Sequence, residues 1–261
     1  MMGKVVFIGA GPGDPELITL KGKKWLEQAD VIIYAGSLLN TEILKYGKPG
    51  AELHDSAVMH RDDVFKVMAK AVKEGRLVAR VHDGDPSFFG AIQEQMDFLT
   101  KLGIEFVNVP GVSCLQGSAA SLHRELTLPN ISQTVIVTRP KGRTPVPEAE
   151  SIRALAKHQA TMVIFLGTPQ LATVVDELQK GGYSKDTPAA VVYKATWPEQ
   201  KVVKGTLNDI VEKTKAAGIK ETALIFVGRV LNPEGYDYSK LYEPAFTTGF
   251  RKGVKRCSPR E

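Results

Sequence analysis

The sequence predicts an α/β protein with two α/β domains on mainly parallel sheets. Three observations carry this. Short apolar, β-branched-rich runs alternate with amphipathic helical stretches. The alternation starts afresh after Leu128-Pro129. Glycine- or proline-rich loops follow the runs, as at the strand ends of open parallel sheets. A chain of 261 residues holds one large or two modest domains. The expected partition is residues 1–112, residues 113–235 and a peripheral basic tail, residues 236–261. The halves show no sequence repeat.

Element by element, Val5–Gly9 reads as a buried parallel strand running into Gly-Ala-Gly-Pro-Gly-Asp. Thr19 can cap a helix over Leu20–Gln28. Val31–Tyr34 is a second strand. In Asp63–Glu74, Val64, Val67, Met68, Ala71 and Val72 form a helical stripe, with Gly75 as its terminator. Leu77–Val81 reads as a strand, Gly90–Lys101 as a helix and Glu105–Val109 as a strand. In the second half, strands are expected at Val135–Thr138, Met162–Gly167, Ala189–Tyr193 and Ala223–Val227. Helices are expected at Ser151–Lys157, Leu171–Lys180 (closed by Gly181-Gly182) and Leu207–Ala217. Beyond Val230 the composition turns to Pro, Gly, Tyr and charge, as in a peripheral segment.

Composition narrows the function classes. Hydrophobic residues make up 43% and charged residues 24%, which is ordinary for a globular chain and excludes a disordered or collagen-like one. The longest apolar runs, Val5–Ala10 and Thr161–Gly167, fall far short of the roughly 20 residues of a membrane span. No secretory signal is read at the N-terminus, so a cytoplasmic setting is expected. Two cysteines, Cys114 and Cys257, suit neither a disulfide scaffold nor a zinc site, and no metal is expected. The net charge of +5 is concentrated in Arg251, Lys252, Lys255, Arg256 and Arg260, against Glu261. The rest of the chain is close to neutral, so neither nucleic-acid nor membrane partners are expected.

Three loops sit at successive strand ends: Gly9-Ala10-Gly11-Pro12-Gly13-Asp14, Asp83-Gly84-Asp85-Pro86 and Pro110-Gly111-Val112-Ser113. Each alone could be a tight turn. Together they form a ligand rim. A dinucleotide fits it badly: the third glycine comes too early, Pro12 removes a backbone donor, and no acid ends the second strand.

Gly9–Leu20 (GAGPGDPELITL), Asp83–Gly90 (DGDPSFFG) and Pro110–Ser113 (PGVS) resemble the signatures of the tetrapyrrole methylases. The resemblance covers about residues 3–233. Tyr34–Leu38, Gly90–Gln95, Thr138–Glu148 and Val192–Pro198 resemble the branch that methylates C11 of precorrin-4 or cobalt-precorrin-4 in cobalamin biosynthesis. Another methylase of the family, acting on uroporphyrinogen III or another precorrin, is the alternative. A nicotinamide-dependent dehydrogenase and a nucleic-acid-binding protein using the basic tail are the readings from other classes.

The resemblance implies a homodimer and S-adenosylmethionine as methyl donor, folded into a cleft between the domains. By motif position, Pro12, Asp83, Gly84, Asp85, Phe88, Ser113 and Cys114 would line the donor site from the first domain. Leu166, Ala195, Thr222 and Ala223 would line it from the second. Asp85 could accept from the donor's ammonium; Leu166 reads equally as a core residue. A polycarboxylate tetrapyrrole needs cations. His60, Arg61, Arg139, Lys141, Arg143 and Lys194 are the candidates, each readable also as a solvated surface charge. Trp197 could pack on the macrocycle or simply cover the core. No catalytic base is named, because methyl transfer to an electron-rich carbon chiefly requires alignment and water exclusion.

Overall fold

A computed structural model describes residues 3–254. Lys255, Arg256, Cys257, Arg260 and Glu261 of the basic tail lie outside them. Two five-stranded sheets follow one another along the chain. The first comprises β1 (Val5–Gly9), β2 (Val31–Tyr34), β3 (Glu52–Asp55), β4 (Val78–His82) and β5 (Phe106–Val109). Its order is β3-β2-β4-β1-β5 and every pairing is parallel. Side chains alternate across it. Val6, Ile8, Ile32, Ala79 and Val81 pack on one face with Leu26 of α1 (Leu20–Leu26). Val5, Phe7, Val31, Ile33 and Val78 pack on the other with Val64 and Met68 of α2 (Arg61–Lys73) and Leu99 of α3 (Gln93–Lys101). Fully burying one such side chain stabilises by about 1.5–3 kcal/mol, so a sheet covered on both faces holds its register firmly.

The second sheet contains β6 (Val135–Thr138), β7 (Thr161–Ile164), β8 (Pro188–Tyr193), β9 (Lys201–Thr206) and β10 (Ala223–Val227), in the order β6-β7-β10-β8-β9. Here β6 and β7 are parallel and the other pairings antiparallel. The cause is local. Between β7 and β8, and between β9 and β10, helices α6 (Leu171–Lys180) and α7 (Ile210–Ala216) return the chain and preserve strand direction. Between β8 and β9 there is only a short turn, so the direction reverses there. The pair β9 and β10 then runs against β6, β7 and β8. Val163, Phe165, Ala190, Val192, Leu224 and Phe226 on one face receive Leu115 and Leu122 of α4 (Cys114–Leu122). The other face is covered by α6, α7 and α5 (Ile152–Ala156).

Three elements lack a sequence expectation: β3, β9 and α4. β3 is an edge strand with Leu53 exposed and no apolar alternation. α4 is built from small residues, CLQGSAASL, with Ser113 as its N-cap. α3 begins at Gln93, not Gly90, because Phe89 and Ala91 hold left-handed φ values of 56° and 49°. α7 begins at Ile210, not Leu207, because the Leu207 amide returns to Thr187 O at 3.0 Å.

Residues 236–254 form an irregular extension. Arg251 clasps it by donating from Nη2 to Leu241 O (3.0 Å) and Glu243 O (2.8 Å). Tyr238, Leu241, Tyr242 and Phe250 remain exposed. Among the described residues no helix is long and apolar enough to cross a membrane.

Candidate active site

The three loops at the carboxyl edge of the first sheet are fastened to one another by backbone. Ala10 N donates to His82 O (2.8 Å) and Gly84 N to Gly11 O (2.8 Å). Glycine is required because the backbones touch. A Cβ on Gly9 would lie 2.5 Å from Gly111 N and 2.7 Å from Gly84 O. Asp85 closes the assembly: Oδ1 accepts from Ser87 N (2.9 Å) and Oδ2 from Gly111 N (2.8 Å). Burial opposes its ionisation, but these bonds hold the Asp85 carboxyl below the ordinary carboxylate value.

The second sheet presents the loops after β7 and β8 and the one before β10 to the same region. Because β10 is antiparallel, its amino end lies at the carboxyl ends of β7 and β8. Leu166, Lys194, Thr196 and Thr222 in these loops have φ values of 56°, 45°, 68° and 54°. Left-handed backbone costs a non-glycine residue about 1–2 kcal/mol, and such strain concentrates at ligand sites. It turns the Leu166 side chain outward to 61% exposure, so Leu166 is not a core residue. The halves are latched by Asp14 N donating to Thr196 Oγ1 (2.9 Å) and Trp197 Nε1 donating to Pro12 O (3.0 Å).

Between the halves lies a cleft of about 450 Å³, within the range of small-molecule sites. Of the residues expected at the donor site, Pro12, Asp83, Cys114, Leu166, Ala195, Thr222 and Ala223 line it. Gly84, Asp85, Phe88 and Ser113 do not. Gly84 and Asp85 are engaged in loop-to-loop bonding, and Asp85 therefore has no oxygen left free of a backbone partner. Ser113 is buried, its hydroxyl accepting from Leu115 N at 3.2 Å. Phe88 stacks on Phe165, itself a wall residue, with centroids 6.1 Å apart.

Sequence reasoning missed Ser37, Leu38, Phe165, Thr168 and Ser118 of the wall. Ser118 lies one helical turn beyond Cys114, so recognising α4 would have found it. Its Oγ is fully buried without a hydrogen-bond partner among the described residues, which an enclosed hydroxyl rarely tolerates. Asp83 is a half-buried acid of the cleft wall. Burial pushes its carboxyl up, and among the described residues no cation lies within 4.0 Å. Burial first, and then Asp83, push the Cys114 thiol up to about 11, so it stays protonated and is no nucleophile.

The expected substrate cations are dispersed. Lys194 lines the cleft, its Nζ 4.7 Å from the Trp197 ring centroid and 3.9 Å from Glu199 Oε1. Trp197 also lines it. His60 caps α2 without a side-chain capping bond, and the adjacent Arg61 pairs with Asp62 (3.2 Å) and Glu94 (3.8 Å). Arg139 is turned inward on its own loop: Nη1 donates to Pro140 O (3.3 Å) and Thr144 O (3.4 Å), and Nη2 to Pro145 O (2.9 Å). It braces the loop that exposes Lys141 and Arg143. Gln170 Nε2 donates to Lys141 O (3.1 Å), which sets that loop beside the cleft residues Thr168 and Pro169.

Residues 4–211 match the family described as tetrapyrrole (corrin/porphyrin) methylases. A cobalt-precorrin-4 C(11)-methyltransferase of Methanocaldococcus jannaschii is 58% identical over 97% of this chain and 98% of its own. The X-ray structure of a cobalt precorrin-4 methyltransferase superposes with a TM-score of 0.86 at 46% identity, covering 88% of this chain and 96% of that one. A uroporphyrin-III C-methyltransferase from Thermus thermophilus, complexed with S-adenosyl homocysteine, superposes at 0.74 with 26% identity, covering 88% and 94%.

Proposed function

The chain belongs to the tetrapyrrole (corrin/porphyrin) methylase family, and from that premise we propose that it methylates C11 of precorrin-4 or its cobalt form, with S-adenosylmethionine as donor, in cobalamin biosynthesis. The observation that carries the regiochemistry is the 58% identity, over nearly the full length of both chains, to a methyltransferase named for that carbon. The donor itself supplies an electrophilic methyl on a positively charged sulfur.

The cleft's own residues suit that group. Asp83 offers a half-buried carboxyl, with no cation beside it among the described residues, to a ligand carrying positive charge. Phe165, Leu166, Val192 and Leu224 form an apolar wall that suits an adenine ring and excludes water. The Ser118 hydroxyl has hydrogen-bonding capacity that none of the described residues uses. The latch from Asp14 and Trp197 across to Thr196 and Pro12 holds the two walls at a fixed separation, so alignment of the reactants rests on the fold.

The same reading includes a cytoplasmic homodimer; the exposed apolar side chains of residues 236–254 are a surface that a second copy would cover. Lys194, Lys141 and Arg143 would meet substrate carboxylates from the second half. The test is incubation with methyl-labelled donor and either precorrin-4 or cobalt-precorrin-4, followed by NMR location of the label. Label at C11 is expected. Label at another carbon assigns the chain to a sister methylase, and no transfer to either acceptor overturns the proposal.

A further inference from the structure

Arg80 stands in the centre of the first sheet, on β4 between β2 and β1, where parallel strands carry apolar side chains. It is only 7% exposed. Its Nε donates to Gln95 Oε1 (3.1 Å) and its Nη1 to Ile33 O (3.3 Å) and Val81 O (3.4 Å). All three partners are neutral, and among the described residues no carboxylate lies within 4.0 Å of the guanidinium. Among the described residues Nη2 donates to nothing, yet it is not among the polar atoms sealed from the surface. Two residues on, along the same strand face, His82 is buried with Nε2 unpartnered. A desolvated cation without a counter-ion is costly unless something outside the chain brings the negative charge. Burial lowers the Arg80 pKa only to about 10, so the side chain remains cationic at neutral pH.

The surroundings say where that charge enters. Gln95, which receives Arg80, donates from Nε2 to Ala91 O (2.9 Å) and so ties the guanidinium to the loop over residues 83–91. That loop begins at Asp83 in the cleft wall, and its Phe89 meets Phe165 across the cleft at 5.1 Å. Arg80 therefore lies two residues before the carboxyl end of β4, outside the cleft lining itself but tied to the loop that borders it. The neighbouring cation Arg61 is paired with Asp62 and Glu94, and Arg139 is spent on its own loop. The geometry points to Arg80, held by Gln95, as an anchor for one carboxylate arm of the tetrapyrrole acceptor, received on the free Nη2 edge of the guanidinium. This rests on the tetrapyrrole reading above. Asp83 and Arg80 then divide the site by charge, an acid for the cationic donor and a base for the anionic acceptor.

The test titrates uroporphyrin, a stable oxidised tetrapyrrole with acetate and propionate arms, and separately S-adenosylhomocysteine. Arg80→Gln should weaken uroporphyrin binding on the order of 10- to 100-fold, the scale of one charged hydrogen bond, and leave S-adenosylhomocysteine within about twofold. Arg80→Lys should recover part of the loss. Gln95→Glu is the second variant: it places a carboxylate on the guanidinium, so it should raise the melting temperature and weaken uroporphyrin together. Unchanged uroporphyrin affinity in a folded Arg80→Gln, or in a stabilised Gln95→Glu, overturns the inference, as does an equal loss for both ligands. Wild-type protein that binds S-adenosylhomocysteine but no uroporphyrin refutes the tetrapyrrole reading instead.

Discussion

Replacing Asp83 by Asn should make the protein more stable and a poorer binder of its donor. The carboxyl is half-buried in the cleft wall, its pKa raised by desolvation there, with no cation within 4.0 Å among the described residues. A carboxyl whose folded pKa lies above its unfolded value contributes stability below the ordinary value of 3.8 and loses it as pH rises through the folded value. As pH rises through the folded value, the wild-type fold comes to carry an ionised group that would be better solvated unfolded. Asn keeps the shape and removes the charge, so the melting temperature should rise at pH 7.5 and the difference should vanish near pH 3. Binding moves the other way. Loss of one charge-assisted interaction with a cationic ligand costs about 1.5–3 kcal/mol, on the order of 10- to 150-fold in Kd. Calorimetry with S-adenosylmethionine and S-adenosylhomocysteine reads this and resolves which cation Asp83 faces. A larger loss for the sulfonium compound assigns the sulfur; equal losses assign the ammonium. Unchanged affinity for both ligands, or a melting temperature lowered at pH 7.5, refutes the reasoning.

A Cβ on Gly13 would overlap the Trp197 ring, so Gly13→Ala should displace the indole from Pro12 O, cost about 1–3 kcal/mol in denaturant unfolding and weaken S-adenosylhomocysteine in parallel. His82 is held neutral by burial, and secondarily by Arg80, with its pKa lowered to about 3. Because the unfolded imidazole takes up a proton near its ordinary 6.5, this site should remove stability as pH falls from about 6.5 to about 3, at up to about 1.4 kcal/mol per pH unit. His82→Gln should flatten that part of the stability–pH curve, and a parallel curve would show another group responsible. Arg143→Ala should weaken uroporphyrin at low salt and leave S-adenosylhomocysteine within about twofold, the difference shrinking as the ionic strength approaches that at which exposed charges are screened over about 8–10 Å. Equal uroporphyrin affinities at low salt would return Arg143 to the role of a solvated surface charge.

The half of the site built by the first sheet was legible in the sequence because its constraints are chemical. Backbones that touch at Gly9 and Gly111, and the left-handed φ of Gly84, demand glycine, and glycine is visible in a sequence. The four residues expected from the second half, Leu166, Ala195, Thr222 and Ala223, all line the cleft, but only the family resemblance supplied them, because the constraints there are conformational. Leu166, Lys194, Thr196 and Thr222 are ordinary residues held at positive φ by their surroundings, and residue type does not record that. Strand direction was hidden for a similar reason. Without β9, whose half-exposed Lys-Val-Val-Lys run barely alternates, nothing in the sequence signals the hairpin that reverses the second sheet and brings the amino end of β10 to the cleft. Side-chain direction decided the rest: Asp85 and Arg139 carry the charges a ligand needs, but both are consumed by backbone partners that only the folded loops supply.

Arg80 is the opposite case, a signal present in the sequence and passed over. Leu77–Val81 reads as a strand on the strength of its apolar residues, and a strand covered on both faces should be a near-continuous hydrophobic run. An arginine inside it is the departure from that rule, and the next residue of the same face, His82, repeats the departure. Two basic side chains on one buried face, immediately before a ligand loop, cannot be explained by packing, which apolar residues would serve better. Local rules fail where a chain is committed to something other than its own stability. The same logic applies to Asp83, whose desolvation weakens the fold as pH rises through its folded value. The acid and the buried cation are therefore read together, as charges whose partners arrive with the two reactants.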